Sequence, residues 1–266
     1  MIIPIVMASD ENYLLPTCAT IVSILENGAS ENIYKIYLLV SRQYLDMDKG
    51  VFAKLKERYS NFDYQYLTVN EDLFANAATT NYHITVETYY RLVISDLLPE
   101  CDKCLYLDGD LLVQCDVAEI FNADMENNYL AAVKDIGMQC GQGPYYTQHQ
   151  EELGFDSMES YFNAGVLVFN LAQIRKDNMV PVFLKAIEKK YTIEDQDILN
   201  VTCKGRIRYL PIKYNTFSGF LDKPEFYNCG RYPEEELNEI EEDRISIIHF
   251  AGGQDKPWKI CMAKKP

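Results

Sequence analysis

Two carboxylates separated by one glycine, Asp108-Gly109-Asp110, interrupt an otherwise apolar run between Lys103 and Val113. Alternate side chains of an extended chain point to the same face, so both carboxylates would project together and repel each other unless a cation lay between them. Hard divalent cations prefer carboxylate oxygens, and the glycine would let a bulky phosphate approach. The spacing therefore predicts a metal site, although the same residues are also typical of a hairpin turn with solvated acids.

A second candidate group lies near the end of the chain, where His249 is followed by Gly252, Gly253 and Lys256. A lone histidine is more often a hydrogen-bonded core residue than a metal ligand. Two carboxylates and one imidazole would suit manganese and leave coordination positions for diphosphate oxygens, while Lys256 could neutralise a phosphate. The alternative for this segment is a plain glycine turn with an exposed lysine.

Other polar side chains interrupt apolar stretches or stand at their ends. They are Asp10, Asn12, Arg91, Asp135, Asn163 and the run from Glu194 to Asn200. Because a buried guanidinium group needs an anion, Arg91 either pairs with an acid such as Asp96 or Asp108 or contacts a substrate. Acids at a helix start are routinely caps, so the acids after Glu194 have two interpretations as well.

The elements that must position these residues alternate between strands and helices. Apolar runs predict buried strands over residues 2–8, 34–40, 64–69, 129–133, 161–171 and 245–250. Amphipathic spacing predicts a first helix that ends at Gly28 and further helices over residues 45–59, 86–98 and 174–190. This order is typical of an α/β protein that begins with a parallel, nucleotide-binding half-domain, whose ligands bind beyond the carboxyl ends of the strands.

Two further patterns limit the function. Neither GxGxxG nor GxxxxGK follows the first strand, which disfavours an NAD enzyme or a P-loop enzyme. Residues 136–160 are rich in glycine and tyrosine, which is typical of a mobile loop that closes on a substrate, or simply of a long surface loop.

Composition excludes several classes of partner. The chain has 266 residues, 48% of them hydrophobic, which suits one large core. Its 40 acidic and 25 basic residues give a formal net charge of -15, which disfavours nucleic acid and anionic membranes. We expect no signal peptide and no transmembrane segment, a cytoplasmic location, and reduced thiols at Cys101 and Cys104, whose C-x-x-C has no second pair at zinc-finger spacing.

Six motifs taken together resemble family 8 of the retaining glycosyltransferases, which includes bacterial lipopolysaccharide galactosyl- and glucosyltransferases and glycogenin. The motifs, in the order of the family, are residues 8–13 (ASDENY), 90–92 (YRL), 107–110 (LDGD), 161–166 (YFNAGV), 195–200 (DQDILN) and 249–258 (HFAGGQDKPW). Each motif alone is weak, but the match runs from residue 2 to residue 258.

The resemblance implies a single GT-A domain over residues 1–266, with a Rossmann-like, mixed but mostly parallel sheet flanked by helices. Residues 1–113 would form the nucleotide-binding half and residues 114–266 the half that binds sugar and acceptor. The donor would be UDP-glucose or UDP-galactose, and the acceptor a saccharide or glycolipid of the cell envelope. Mn²⁺ is the implied cofactor, with Mg²⁺ as the alternative.

The resemblance also implies a role for each matched residue. Uridine would contact Ala8, Asp10 and Asn12. The metal ligands would be Asp108, Asp110 and His249. The diphosphate would contact Gly252 and Lys256, with Gly253 as the alternative because the family usually has one residue fewer between glycine and lysine. The transferred sugar would contact Arg91, Asp135, Asn163, Ala164, Asp195 and Gln196.

Several alternatives stay open. Glutamine is a poor nucleophile, so we expect a front-face substitution beside Gln196, with a double displacement through Asp195 as the alternative. A self-glucosylating protein of the glycogenin type, suggested by the 20 tyrosines, and a UDP-sugar-binding protein without turnover are the rival functions. The family's basic, aromatic tail for membrane attachment has no counterpart before residue 266, although contact with the cytoplasmic face of the membrane stays open. The sequence leaves the acceptor and the oligomeric state open too.

Overall fold

Ten strands in two sheets organise the residues that the computed structural model describes, which are 1–42, 45, 50–77, 85–221, 232–241, 244–252 and 256–259. The strands are β1 (Ile2–Ala8), β2 (Ile33–Val40), β3 (Phe62–Thr68), β4 (Lys103–Leu107), β5 (Leu111–Val113), β6 (Leu130–Lys134), β7 (Phe162–Asn170), β8 (Ile207–Leu210), β9 (Thr216–Phe217) and β10 (Ile247–His249). The larger sheet has the order β3-β2-β1-β4-β7-β6-β8, and the smaller sheet has the order β5-β10-β9.

One strand of the larger sheet runs against all the others. The pairs β1–β2, β1–β4, β2–β3 and β6–β8 are parallel, whereas β7 is antiparallel to both of its neighbours, β4 and β6. The start of β7 therefore lies at the same edge of the sheet as the ends of β1, β4 and β6. This reversal brings Asn163, near the start of β7, to the edge where parallel sheets bind ligands.

Ten α-helices of the described residues connect and cover the sheets. They are α1 (Leu14–Asn27), α2 (Val51–Arg58), α3 (Ile94–Leu97), α4 (Ala118–Phe121), α5 (Ile136–Cys140), α6 (Pro144–Leu153), α7 (Leu171–Lys176), α8 (Val180–Ala186), α9 (Glu194–Thr202) and α10 (Glu234–Glu241). Two buried apolar clusters occupy the two faces of the larger sheet. One cluster contains residues of α1 and α2, and the other contains residues of α7, α8 and α9.

The predicted α/β architecture and its strands are confirmed, but several helix predictions were wrong in detail. Residues 136–160 are largely helical, because Pro144 begins α6 and two glycines with positive φ, Gly143 and Gly154, flank it. The predicted helix over 174–190 is interrupted between α7 and α8, where Asn178 has a φ of 50° and Pro181 starts the second helix.

Two other predicted helices are shorter than expected or differ in type. Residues 86–98 form a 3-10 helix, Val86–Val93, followed by the short α3. The predicted helix over 45–59 is observed only as α2, while residues 46–49 lie outside the described residues.

The expectation of reduced thiols at Cys101 and Cys104 is confirmed, and Cys18, Cys115 and Cys203 are not disulfide-bonded either. Cys140, in contrast, is disulfide-bonded. Disulfide pairing depends on which cysteines the fold brings together, so spacing along the sequence does not reveal it. Across the described part of the chain, no helix has the length and apolar character that crossing a membrane requires.

Burial along β1 gives a matched test of the core. Ile5 is fully buried in the sheet, whereas Ile2 is 60% exposed at the start of the same strand. We expect Ile5→Ala to lower the free energy of unfolding by about 3 kcal/mol, because it removes buried apolar contacts and leaves a cavity. Ile2→Ala should change it by less than about 0.5 kcal/mol. Urea denaturation measures both, and equal losses would contradict the assignment of this core.

Candidate active site

A cavity of about 590 Å³ opens at the edge of the larger sheet where β1, β4 and β6 end and β7 begins. Four polar residues reach it from these strand ends. Asp10 follows β1, Asp108 follows β4, Asp135 follows β6, and Asn163 is the second residue of β7. The convergence predicted from the carboxyl ends of the strands is therefore observed, and the antiparallel β7 supplies the amide.

The smaller sheet brings His249 beside the two carboxylates of the Asp-Gly-Asp motif. Asp110 immediately precedes β5, and His249 of β10 pairs in register with Leu111. The backbone N–H of Phe250 donates to the carbonyl oxygen of Asp110 at 3.0 Å. Nε2 of His249 consequently lies 3.3 Å from Asp110 Oδ1 and 3.9 Å from Asp108 Oδ2. The motif is a tight turn between β4 and β5, and it also places both acids at the cavity.

Arg91 links Asp108, one of the candidate metal ligands, to Asp195 of α9. Its guanidinium group pairs with Asp108 Oδ1 at 3.0 Å and with Asp195 Oδ2 at 3.0 Å, and it stacks on the ring of Tyr106 at 4.2 Å. It also donates to the backbone oxygen of Ala164. Burial alone would lower the pKa of Arg91, but the two carboxylates outweigh it and raise the pKa. The alternative in which Arg91 pairs with Asp108 is therefore observed.

Lys256 contacts the oxygen of the Asp110 carboxylate that does not face His249. Its ammonium group pairs with Asp110 Oδ2 and donates to the Phe250 carbonyl oxygen at 2.6 Å. Burial alone would raise the pKa of Asp110, but the nearby His249 and Lys256 outweigh burial and lower the pKa to about 2. Asp110 is therefore held as a carboxylate. Gly252, with a φ of +86°, also lines the cavity, whereas Gly253 lies outside the described residues.

The amide of Gln196 is fixed at both ends. Its Oε1 accepts from the backbone N–H of Ala164 at 2.9 Å and from Asn163 Nδ2 at 3.0 Å. Its Nε2 donates to Asp135 Oδ2 at 3.1 Å and to the hydroxyl of Tyr161 at 3.1 Å. Because a backbone N–H can only donate, the contact with Ala164 settles which end of the amide is oxygen.

Two carboxylates beside this amide have raised pKa values. Burial raises the pKa of Asp135, against hydrogen bonds from Met138, Asn163 and Gln196. Burial also raises the pKa of Asp195 to about 7, although the neighbouring Arg91 acts in the opposite direction. A carboxyl group with the value of Asp195 can change protonation near neutral pH, which is common in active sites and also occurs in structural ion-pair networks.

A buried network behind the cavity was not predicted from the sequence. Asp197 is fully buried and accepts from the Tyr161 hydroxyl at 2.6 Å and from the Ile193 backbone N–H at 2.7 Å. It also lies 3.0 Å from Nε2 of His149, a residue of α6. Asp197 thus accepts a hydrogen bond from a backbone N–H just before α9, while Asp195 and Gln196 face the cavity. The helical spacing of these acids is the sequence signal that separates the two faces.

Most residues singled out from the sequence line the cavity. These are Ala8, Asp10, Arg91, Asp108, Asp110, Asp135, Asn163, Ala164, Asp195, Gln196, His249, Gly252 and Lys256. Asn12 is exposed and lies outside the lining, where its side chain donates to Asp10 Oδ2 at 3.1 Å. Tyr145 and Tyr146, from the segment whose glycine and tyrosine content suggested a loop that closes on a substrate, also line the cavity, whereas the lining residue Phe217 was not singled out from the sequence.

Three observations indicate that the group of Asp108, Asp110 and His249 could hold a divalent cation. Asp108, Asp110 and His249 each offer a ligand atom, and these atoms lie within 4.8 Å of one another. Asp110 Oδ1 is buried without a hydrogen-bond donor. Six acids line the cavity (Asp10, Glu87, Asp108, Asp110, Asp135 and Asp195), and among its described residues only Arg91 and Lys256 carry a permanent positive charge. A buried surplus of carboxylates needs a cation to balance it.

The fold and this cavity define an α/β protein with an acidic site that fits a divalent cation, at the edge of a mostly parallel sheet. Residues 4–261 match the family model described as Glycosyl transferase family 8. The chain therefore belongs to glycosyl transferase family 8, and the GT-A fold is confirmed by the solved structures it resembles.

Three relatives illustrate this membership. A glycosyltransferase-like protein of Haemophilus influenzae is 30% identical over 218 residues, which cover 79% of this chain and 62% of that protein. The lipopolysaccharide 1,2-glucosyltransferase of Escherichia coli is 29% identical, with 94% of this chain and 71% of the enzyme covered. The galactosyltransferase LgtC, solved with donor and acceptor sugar analogues, is 26% identical with a TM-score of 0.77, covering 98% of this chain and 92% of LgtC.

Gly165 provides a test of the ligand group, because its missing side chain leaves room for two ligands. A Cβ at this position would lie 2.4 Å from His249 Cε1 and 2.9 Å from Asp108 Oδ2. We expect Gly165→Ala to displace one of them and weaken Mn²⁺ binding by about tenfold or more, as loss of ligand orientation does elsewhere. Titration of the protein with Mn²⁺, followed by electron paramagnetic resonance of the free ion, measures this affinity.

The control for Gly165→Ala is another glycine-to-alanine change that creates a steric clash away from the cavity. A Cβ at Gly28 would lie 2.5 Å from the ring of Tyr34, so Gly28→Ala should lower stability and leave the Mn²⁺ affinity unchanged. Equal affinity in Gly165→Ala and the wild type would contradict the ligand assignment.

The buried His149 predicts a pH dependence of stability. Burial alone would lower its pKa, but Asp197 and Glu152 outweigh burial and raise the pKa above the ordinary value of 6.5. A raised folded-state pKa means that the protonated form favours folding, so this stabilisation is complete below pH 6.5 and is lost as pH rises through the folded pKa. Urea unfolding across this range should show the stability gap between wild type and His149→Gln shrinking as pH rises. A constant gap would argue against a charged His149.

Proposed function

We propose that this chain is a retaining hexosyltransferase that moves glucose or galactose from a UDP-sugar to a saccharide acceptor of the cell envelope, with Mn²⁺ as its metal. The observation that carries the proposal is the group of Asp108, Asp110 and His249 beside the fixed amide of Gln196 in one cavity. Relatives named as lipopolysaccharide glucosyl- and galactosyltransferases support the choice of sugar and acceptor. In this proposal residues 1–113 hold the nucleotide and residues 114–266 hold the sugar and acceptor.

The charge balance of the cavity supports a metal-bound diphosphate. A nucleoside diphosphate is itself anionic and would be repelled by a cavity lined with carboxylates. When bound, Mn²⁺ would supply positive charge that offsets both the carboxylates and the phosphates. Lys256 and Gly252 border the same end of the cavity, where they would contact the diphosphate.

The fixed amide of Gln196 supports a front-face substitution. Its oxygen already accepts two hydrogen bonds and its nitrogen donates two, so the side chain presents a rigid polar surface and a weak nucleophile. In the proposed step, the bond from the anomeric carbon to the UDP oxygen breaks as the acceptor hydroxyl oxygen bonds to the same face. The hydroxyl proton passes to a phosphate oxygen of the leaving UDP.

Asp195 has a role other than nucleophile in this scheme. Its carboxylate is paired with Arg91, which is itself buried, and that pairing holds it in place beside the sugar. A double displacement would require Asp195 to leave this pair and bond to the anomeric carbon. Forming that bond would take one of the two carboxylate partners from the buried guanidinium and leave Asp108 as its remaining partner, which weighs against that route.

Measurement of UDP release from UDP-glucose and UDP-galactose, with Mn²⁺ or with a chelator, tests the proposal. We expect Mn²⁺-dependent transfer to a saccharide acceptor with retention at the anomeric carbon. Asp110→Asn should lower turnover by about 100-fold or more, because it removes a charged ligand of the metal that would offset the charge developing on the leaving UDP. The control Asp102→Asn removes a carboxylate whose side chain is 90% exposed, and it should keep wild-type turnover.

The same reactions separate the rival functions. A hexose mass increment on the intact protein would show self-glucosylation of the glycogenin type. Tight UDP binding without transfer or donor hydrolysis would show a sugar-nucleotide-binding protein. Full turnover in Asp110→Asn would contradict the metal assignment.

A further inference from the structure

Asn215 is a buried residue with no place in the proposed chemistry. It lies between a 3-10 turn, Ile212–Tyr214, and β9, and only 2% of its surface is exposed. It is outside the cavity lining, yet its side chain bridges two residues that are inside. Its Oδ1 lies 2.9 Å from Nδ1 of His249, and its Nδ2 donates to Asn163 Oδ1 at 2.9 Å.

The orientation of both amides is set by a backbone group. The N–H of Gly165 donates to Asn163 at 2.9 Å, and a backbone N–H can only meet an acceptor, so the contacted atom is Oδ1. The group of Asn215 that faces the same oxygen must then be its NH₂. Its own oxygen is left facing His249.

This chain of contacts selects one tautomer of His249. An imidazole nitrogen that faces an amide oxygen must carry the hydrogen, so Nδ1 is the protonated nitrogen. Nε2 is then the nitrogen that faces Asp110 Oδ1 at 3.3 Å, and it is the atom that would bind a metal at this site. A metal-binding histidine needs this arrangement, in which the second nitrogen donates to an oxygen and orients the ring.

The other end of the chain reaches the proposed sugar site. Asn163 Nδ2 donates to Gln196 Oε1 at 3.0 Å and to Asp135 Oδ2 at 3.3 Å. Asn163, Asn215 and His249 are all at least nine-tenths buried, so each lost contact would leave a polar group without water to replace it. The orientation of Gln196 and the tautomer of His249 are thus set through the same pair of amides.

We propose that Asn215 is a positioning residue that fixes the His249 tautomer and couples the metal ligands to the sugar-binding amides. The proposal rests on the metal site of the proposed function. It predicts that the two ends of the Asn215 amide act separately. Asn215→Leu removes both contacts, whereas Asn215→Asp keeps an acceptor for His249 Nδ1–H and loses only the donor to Asn163.

The tautomer can be measured directly in the metal-free protein. The chain has three histidines, so long-range ¹H–¹⁵N spectra resolve each imidazole, and His249→Gln assigns the signals. We expect the wild type and Asn215→Asp to show hydrogen on Nδ1 of His249. Asn215→Leu should show a mixture or the opposite tautomer. The same Nδ1–H tautomer in Asn215→Leu would overturn the proposal.

Mn²⁺ affinity is the second readout. We expect Asn215→Leu to bind Mn²⁺ about 10- to 100-fold more weakly than wild type, the usual cost of losing a partner behind a ligand. Asn215→Asp should retain the affinity and instead lower kcat, because Asn163 and Gln196 lose their support. The control Asn32→Leu removes another buried amide, which donates to Asp116 at 3.2 Å, and should leave the affinity unchanged.

The outcomes separate this inference from the proposed function. A wild type that binds no Mn²⁺ contradicts the metal site, while the tautomer measurement still tests the role of Asn215. A wild type that binds Mn²⁺, with Asn215→Leu binding it equally well, contradicts only the inference. If Asn215→Leu does not fold, Asn215→Asp decides, because loss of Mn²⁺ affinity in that variant would overturn the proposal.

Discussion

The site depends on the burial of one guanidinium group between two carboxylates. Arg91 is 4% exposed and pairs with Asp108 after β4 and with Asp195 at the start of α9. These elements are far apart in the sequence, and the two ion pairs link the group of Asp108, Asp110 and His249 to the start of α9. Removing either acid would leave the buried guanidinium with one carboxylate partner instead of two, whereas a fully broken buried ion pair costs roughly 3–5 kcal/mol. The guanidinium offsets part of the repulsion between the two acids, and the remaining repulsion from Asp108 contributes, after burial, to the raised pKa of Asp195.

A second constraint is orientational. Asparagine and glutamine have two chemically different ends, and a buried amide placed the wrong way round loses its hydrogen bonds. Here the backbone N–H groups of Ala164 and Gly165, both in β7, settle the orientation of Gln196 and Asn163. The antiparallel strand β7 therefore also orients these two amides. It presents two donors at the edge where the parallel strands end.

Much of the fold and many of the candidate residues could be predicted from the sequence, for a physical reason. Buried strands give continuous apolar runs, and the polar residues that end them, such as Asp10 and Asp135, stand out against that background. Residues whose role depends on distant partners gave no such signal. Asn215 lies in an irregular stretch, and His149 lies on α6, where proline and glycine suggested a loop but instead mark helix ends. The disulfide at Cys140 was missed for the same reason, because it depends on a long-range contact.

In the proposed function, the residues that would hold the leaving group are separate from those that would contact the acceptor. The carboxylates, His249 and Lys256 gather at the turn between β4 and β5 and at the end of β10, on a scaffold of paired strands. Tyr145 and Tyr146 line the cavity from α6, which is tied to the core through the contact of His149 with Asp197. In the proposed function, a change of acceptor would call for new side chains on α6 and its neighbours, while the charged residues around Asp108 and Asp110 could stay as they are. Such a division lets one family keep its chemistry on rigid elements and vary its specificity on the segments around them.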